Sequence, residues 1–308
     1  TIVQDRFCTL GIDPGWIGTL GSEGTLKLTR SSGPHETGSA EHSPVIELEL
    51  FTNRFGSIVD EMGQLLQRTA ISTNIKERFD YSCALLDREG QLVVNAPHIP
   101  VHLGALGLCV RSIAPAQELG PGDMIVTNHP GHGGSHLPDI TVISPVFDDA
   151  EQLLGYVANR AHHAELGGIS PGSMPPQARS LADEGVVIPP TFLYRGGKAQ
   201  FGEFEKRLRG GSNPSRSPED NLADLKAQAA GNLLGAQALQ RLAAAHHHTK
   251  VVDYMRQIRQ RAANTIARRI TTLEPGKHSA TETLDDGTRL VATIEVSDGK
   301  IRIDFTGT

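Results

Sequence analysis

In the stretch GHGGSHLPDITVISPVF, running from Gly131 to Phe147, His136 and Asp139 stand three residues apart on either side of a Leu-Pro step. Imidazole nitrogen and carboxylate oxygen together are the usual ligands of zinc, manganese or ferrous iron. Gly131, Gly133 and Gly134 widen the backbone angles open to the approach, and Pro138 stiffens the link between the two side chains. The apolar run Ile140-Thr141-Val142-Ile143 then reads as a buried strand, so the pattern predicts a loop that presents ligands at a strand end.

Other clusters carry the same chemistry. His129 and His132 precede the first pair, and His162, His163 and Glu165 close the run NRAHHAELGG at the end of the next expected strand. If the two strands are antiparallel neighbours, His136, Asp139, His162 and His163 meet at one sheet edge, because adjacent strands lie about 4.8 Å apart. The competing reading is ordinary polar loop residues. His98 and His102 flank Pro100 in APHIPVHLG, where a structural and a functional role are equally open. Glu77, Arg78 and Asp80 in KERFDY read either as a surface ion pair or as the lining of a cavity. The run His246-His247-His248 closes a polar helix and reads as solvated.

Motifs of several other chemistries are missing. The sequence has no H-E-x-x-H and no C-x-x-C. The glycines at 131–134 do not form a phosphate loop, since a strand rather than a Lys-Ser or Lys-Thr helix start follows. A net charge of −6 over 308 residues gives no reason to expect nucleic acid as a partner. No segment approaches the roughly 20 apolar residues needed to span a bilayer. Three widely spaced cysteines, Cys8, Cys83 and Cys109, favour a reducing compartment over a disulfide framework, and hence the cytoplasm. The chain begins without methionine and stops within an alternating strand pattern, which reads as a piece of a longer polypeptide.

The elements that must hold these residues follow from periodicity. Turn chemistry at Asp13-Pro14-Gly15 and Ser22-Glu23-Gly24 predicts a small β-meander within residues 7–30, and the Ser/Gly/Pro-rich stretch after it reads as a linker. Leu48, Phe51, Phe55, Ile58, Met62 and Leu65 mark an amphipathic helix from Val45 to about Ala70. A hairpin turns at Arg88-Glu89-Gly90, a helix covers about Leu103 to Ala116, and strands fall at Met124–Thr127, Ile140–Val146 and Leu154–Asn159. Ser217 before Pro218 starts a helix continued by Leu222, Leu225, Ala229, Leu233 and Ala236. Another helix runs from about Lys250, and a final hairpin turns at Asp298-Gly299. The fold class expected is α+β, with helices packed on a largely antiparallel mixed sheet.

Taken together, TNIKERFDYSCALLD, NAPHIPVHLGA, GDMIVTNHPGHGGSHLPDITVISPVF, NRAHHAELGGISPGSMPP and NLADLKAQAAGN resemble the hydantoinase B/oxoprolinase family from about Val45 onward. Residues 1–30, with DPGWIGTL and LKLTR, resemble the closing strands of the hydantoinase A-like half, leaving 31–44 as linker and 45–308 as the start of the B-like half. A fused A-then-B order is that of the single-chain members that open 5-oxoproline to glutamate, and NHP at 128–130 leans the same way. The resemblance implies an A-like ATPase half, using ATP and magnesium, that activates the carbonyl of a small-molecule cyclic amide. The B-like half would complete the reaction at a divalent zinc, manganese or iron ion held by His136, Asp139 and His162. It also implies catalytic roles for Glu77, Asp80, His98 and His163, with Glu77 and His98 as reserve ligands and His163 orienting a ligand from behind. Glu165 stands where the family often has Asp, and His132 occupies a variable position, so neither joins the ligand set. A homo-oligomer is expected. The rival readings are a hydantoinase-type amidohydrolase, an acetone carboxylase-type subunit, and a non-catalytic scaffold.

Overall fold

The computed structural model of the chain describes residues 2–4, 9–12, 15–22, 24–30, 43–96, 99, 102, 104–172 and 174–308. These fall into two compact units, 1–47 and 48–308. In the first, β1 (Ile2–Gln4) pairs antiparallel with β2 (Thr9–Gly11), and β3 (Trp16–Leu20) pairs antiparallel with β4 (Leu26–Arg30). The expected meander is therefore two separate hairpins, because β2 and β3 share no ladder. Of the expected linker, residues 31–42 lie outside those described, and Pro44 already opens a helix, α1 (Pro44–Thr69).

The second unit is built on a seven-stranded, wholly antiparallel sheet. In chain order its members are β5 (Tyr81–Leu86), β6 (Leu92–Asn95), β7 (Met124–Thr127), β8 (Asp139–Phe147), β9 (Leu153–His162), β10 (Thr191–Arg195) and β11 (Lys198–Ala199). Across the sheet they run β11-β10-β7-β8-β9-β5-β6. β5 is buried along its whole length, which requires cover on both faces. Side chains alternate between the faces, so Tyr81, Cys83, Leu85, Val157 and Ala161 pack with Phe51, Phe55, Met62 and Leu66 of α1. Ala84, Leu86, Ile143 and Ala158 pack instead with Leu106, Cys109, Val110 and Ile113. The helix on that second face, numbered after the four-residue α2 (Thr73–Lys76), is α3 (Ala105–Ile113), and a 3₁₀ turn, Ala114–Ala116, continues it.

After the short α4 (Leu181–Glu184) and α5 (Phe201–Arg209), the long α6 (Pro218–His246) crosses the first face. It lies close to α1, since a Cβ on Gly235 would sit 2.3 Å from Met62 Sδ. α6 begins where the sequence predicts, yet the Ser217 side chain makes no cap; the Glu165 carboxylate accepts the Ser217 N–H instead, at 2.9 Å. Of the expected stripe, Leu225 and Ala229 are buried against β7 and β8 while Leu233 is 50% exposed, and beside them a polar row, Asn221, Asp224, Gln228 and Asn232, is buried as well.

The histidine run separates α6 from α7 (His248–Ile270) rather than lying free in solvent. His247 takes φ +69°, the His246 ring packs edge-on against Phe51, and His248 Nδ1 lies 2.7 Å from Asp148 Oδ2. A separate antiparallel sheet of β12 (Gly276–Thr283), β13 (Arg289–Ser297) and β14 (Lys300–Asp304) completes the described chain, with the predicted turn at Asp298-Gly299.

Candidate metal centre

Three strand ends meet where the chemistry gathers. Asp139 opens β8, His162 closes β9, and the two are register partners. The Asp80 carbonyl, just before β5, accepts the His162 N–H at 2.9 Å, which brings the third strand alongside. Asp80, His102 and Asp139 each offer a ligand atom, and these lie within 4.8 Å of one another. His102 Nε2 stands 3.3 Å from Asp139 Oδ2, and His136 Nε2 stands 3.4 Å from Asp139 Oδ1. The His136 and His162 rings lie 4.8 Å apart, centre to centre. Asp139 is therefore the hub of a cluster of three histidines and a second carboxylate.

The surroundings prepare these groups as ligands. Burial by itself would raise the Asp139 carboxyl, but hydrogen bonds from His102, His136 and Ser135 outweigh it and hold the group well below the usual carboxylate range. Its buried Oδ1 is met by His136 Nε2 at the longer distance of 3.4 Å, an arrangement that suits a cation. Burial pushes the His162 ring below its ordinary value, against the pull of Asp139 and Asp80. A lowered pKa favours the neutral ring, the form that ligates. Its Nδ1 lies 2.7 Å from the His163 carbonyl and 2.8 Å from Asn74 Nδ2. An Nδ1–H given to that carbonyl leaves the Nε2 lone pair for a metal. His102 is oriented from its other nitrogen, with Nδ1 3.0 Å from Ser82 Oγ.

The loop carrying His136 is pressed against α3. Gly133 adopts φ +83°, and a Cβ there would meet the Cys109 backbone nitrogen at 2.9 Å. Gly133 thus lets the loop approach a helix of the same chain closely.

Several residues singled out in the sequence lie elsewhere. His163 follows His162 and so turns to the opposite face, where its ring nitrogens meet Asn221 Oδ1 at 2.8 Å and Gln228 Oε1 at 2.9 Å. It touches His162 through its backbone carbonyl, so its ring orients no ligand, contrary to the expectation. Glu77 is exposed at the C-terminal end of α2 and is outside the cluster. His98 falls outside the described residues. His129 accepts the Gly131 N–H, and His132 Nδ1 lies 2.8 Å from Ser112 Oγ. Glu165 is a loop clamp, accepting from Ser215, Arg216 and Ser217 at Oε1 and from Gly167 at Oε2. His102, buried to 1% exposure, reaches the cluster. Its place just ahead of an amphipathic helix was the available signal, because that helix covers the face on which Asp139 lies.

Comparison with known proteins gives a consistent picture. The profile of the hydantoinase B/oxoprolinase family matches residues 45–308. 5-Oxoprolinase 1 of Arabidopsis thaliana is 38% identical over 334 aligned positions, which take in all of this chain and 26% of that protein. 5-Oxoprolinase of Saccharomyces cerevisiae is 41% identical, covering 85% of this chain and 22% of its own length. The chain thus spans about a quarter of these curated relatives. In structure it resembles the ATP-dependent caprolactamase of Pseudomonas jessenii, with a TM-score of 0.76 at 24% identity over 85% of this chain and 46% of that one. Among the described residues, no helix is long and apolar enough to cross a membrane.

Proposed function

The chain belongs to the hydantoinase B/oxoprolinase family, and on that premise we propose that it carries the metal centre of an ATP-driven cyclic amidohydrolase that opens 5-oxoproline to glutamate. The observation that carries the reading is the Asp139-centred cluster at the ends of β5, β8 and β9. The overall reaction adds one water across the ring amide, breaking the C–N bond and leaving a carboxylate and an amine, with ATP hydrolysis as the driving step. An A-like ATPase half, outside residues 45–308, activates the carbonyl with ATP and magnesium.

His136, Asp139 and His162 would hold a divalent ion, with Asp80 and His102 close enough to join or support the set. Such an ion polarises a carbonyl or lowers the pKa of a bound water towards about 7. The protein's own part is to keep the ligands ready. His102 and Ser135 fix the Asp139 carboxylate, while the His163 carbonyl fixes the His162 ring. Losing a partner that pins a ligand from behind typically costs about 10–100-fold in metal affinity. The match to 5-oxoprolinase 1 extends over the whole chain, including the segment before residue 45, and favours the fused arrangement over a separate hydantoinase or carboxylase subunit. Buried free Cys83 and Cys109 suit a reducing cytoplasm, and we expect the intact protein to be a homo-oligomer.

The test is an ATP-coupled assay on the intact protein with 5-oxoproline and hydantoin in parallel. The reading expects glutamate from 5-oxoproline at one ADP per ring opened. Preference for hydantoin, or carbonyl carboxylation in place of ring opening, contradicts it.

A further inference from the structure

The most deeply buried charged side chain in the second unit has no part in the ligand set. Arg160 is 0% exposed and lies on β9, two residues before His162. Its register partner on β8 is Thr141, two residues after Asp139. Arg160 and Thr141 therefore form the row directly inboard of Asp139 and His162, on the same sheet face. Arg160 Nε donates to Thr141 Oγ1 at 2.8 Å, and Nη2 donates to the Gly133 carbonyl at 2.7 Å. Nη1 is buried without an oxygen acceptor, and the guanidinium lies against the Cys109 thiol of α3. One planar group thus touches the strand that starts at Asp139, the loop that carries His136, and the helix beneath that loop.

Burying a cation is costly, and an apolar side chain of similar volume usually fills a core as well or better. What an apolar residue cannot do is hold the carbonyl of a glycine, which offers the loop no side chain to anchor. We infer that Arg160 is a positioning residue: its fork on Gly133 and Thr141 fixes the loop from Gly133 to Asp139 so that His136 meets Asp139 and His162 in ligating geometry. This rests on the metal-centre reading above.

The charge and the anchor predict effects of opposite sign. A guanidinium beside a divalent ion repels it, so if charge alone mattered, removing it would tighten metal binding. If anchoring dominates, removing the fork loosens the loop and weakens binding. Arg160→Lys separates the two, because lysine keeps the charge and loses the rigid bidentate geometry. Arg160→Met removes both, and Thr141→Val removes one acceptor while leaving Arg160 in place.

The experiment measures Zn²⁺ and Mn²⁺ affinity of the intact protein by competition with a chromophoric chelator. Amide hydrogen exchange at Gly134–His136 and thermal unfolding are followed in parallel. Arg160→Lys and Arg160→Met are expected to lose affinity by about 10–100-fold, with faster exchange in the loop. Thr141→Val is expected to move both readouts in the same direction by less. Should Arg160→Lys fail to fold, Thr141→Val decides alone: unchanged affinity and exchange overturn the inference. Affinity of Arg160→Lys within about threefold of wild type, or tighter binding by Arg160→Met, also overturns it, as does a fall in melting temperature with affinity and exchange unchanged. Wild-type protein that takes up neither ion overturns the metal reading instead. Loop exchange then still decides the anchoring, with faster exchange in Arg160→Lys supporting it and unchanged exchange refuting it.

Discussion

His102 and Glu165 show how a buried polar side chain is used in this chain. His102 spans the gap between Ser82 Oγ and the Asp139 carboxylate, so it fixes the orientation of the hub whether or not it ligates. His102→Gln keeps a polar side chain there but loses the rigid ring. We expect it to lower metal affinity by about 10–100-fold while leaving the protein folded; equal affinity by chelator competition contradicts this. Glu165 acts on the loop before α6. Burial would raise its pKa, but the Ser215 hydroxyl and the backbone N–H groups of Ser217, Gly167 and Arg216 outweigh that and lower it. A carboxyl with a folded pKa below its unfolded value adds stability that is present above the unfolded value, about 4.3, and is lost as the pH falls through the folded one. Thermal unfolding of wild type and Glu165→Gln from pH 7 down to pH 3 checks this. The wild type's advantage is expected to be full at pH 7 and to shrink below about pH 4, whereas a constant difference contradicts the assignment.

At the scale of elements, the polar stripe on α6 is the unusual feature. Gln228 Nε2 donates to the Ile140 carbonyl at 2.8 Å and to Asn159 Oδ1 at 2.9 Å, while its Oε1 faces His163. Asn232 Nδ2 reaches the Val142 carbonyl and Ser144 Oγ from the next turns of the helix. Gln228→Leu would leave several of these groups buried and unpaired, at about 1–3 kcal/mol each. We expect a loss of about 3 kcal/mol in denaturant unfolding, and a change under about 0.5 kcal/mol would contradict the network's role. This stripe also explains what the sequence concealed. The apolar period of α1 and the alternation of β8 announce themselves, because each buries hydrocarbon at a fixed spacing. On α6 the expected Leu225 and Ala229 are buried, but the row beside them is filled by Asn221, Asp224, Gln228 and Asn232, which an apolar count passes over, and Leu233 is assigned to the wrong face. The adjacency of Asp139 and His162 was legible, since it needs only that β8 and β9 pair antiparallel; the grouping of Asp139 with Asp80 and His102 was not. The roles within the pair His162-His163 were not, because neighbouring residues on a strand face opposite sides and only the register tells which side is which. The contributions of Asp80 and His102 depend on contacts between segments distant in sequence, which no local pattern encodes.

For the whole molecule, the last sheet leaves apolar surface uncovered. Ile294, Ile301, Ile303 and Phe305 are each at least 40% exposed, and Ile294 and Ile303 are register partners. A contiguous apolar strand face invites association. The 308-residue chain by itself is expected to bind a hydrophobic dye and self-associate, and Ile303→Ser with Phe305→Ser to reduce both. A monodisperse wild-type chain that binds no dye contradicts this. The proposed function makes one central claim, that a divalent ion held by His136, Asp139 and His162 would be required for ring opening. The direct measurement is metal content together with ATP-coupled glutamate formation from 5-oxoproline, in the intact protein and in Asp139→Asn. The account predicts bound divalent metal in the wild type and the loss of both metal and glutamate formation in a variant that remains folded. Full glutamate formation by a metal-free Asp139→Asn protein would contradict it.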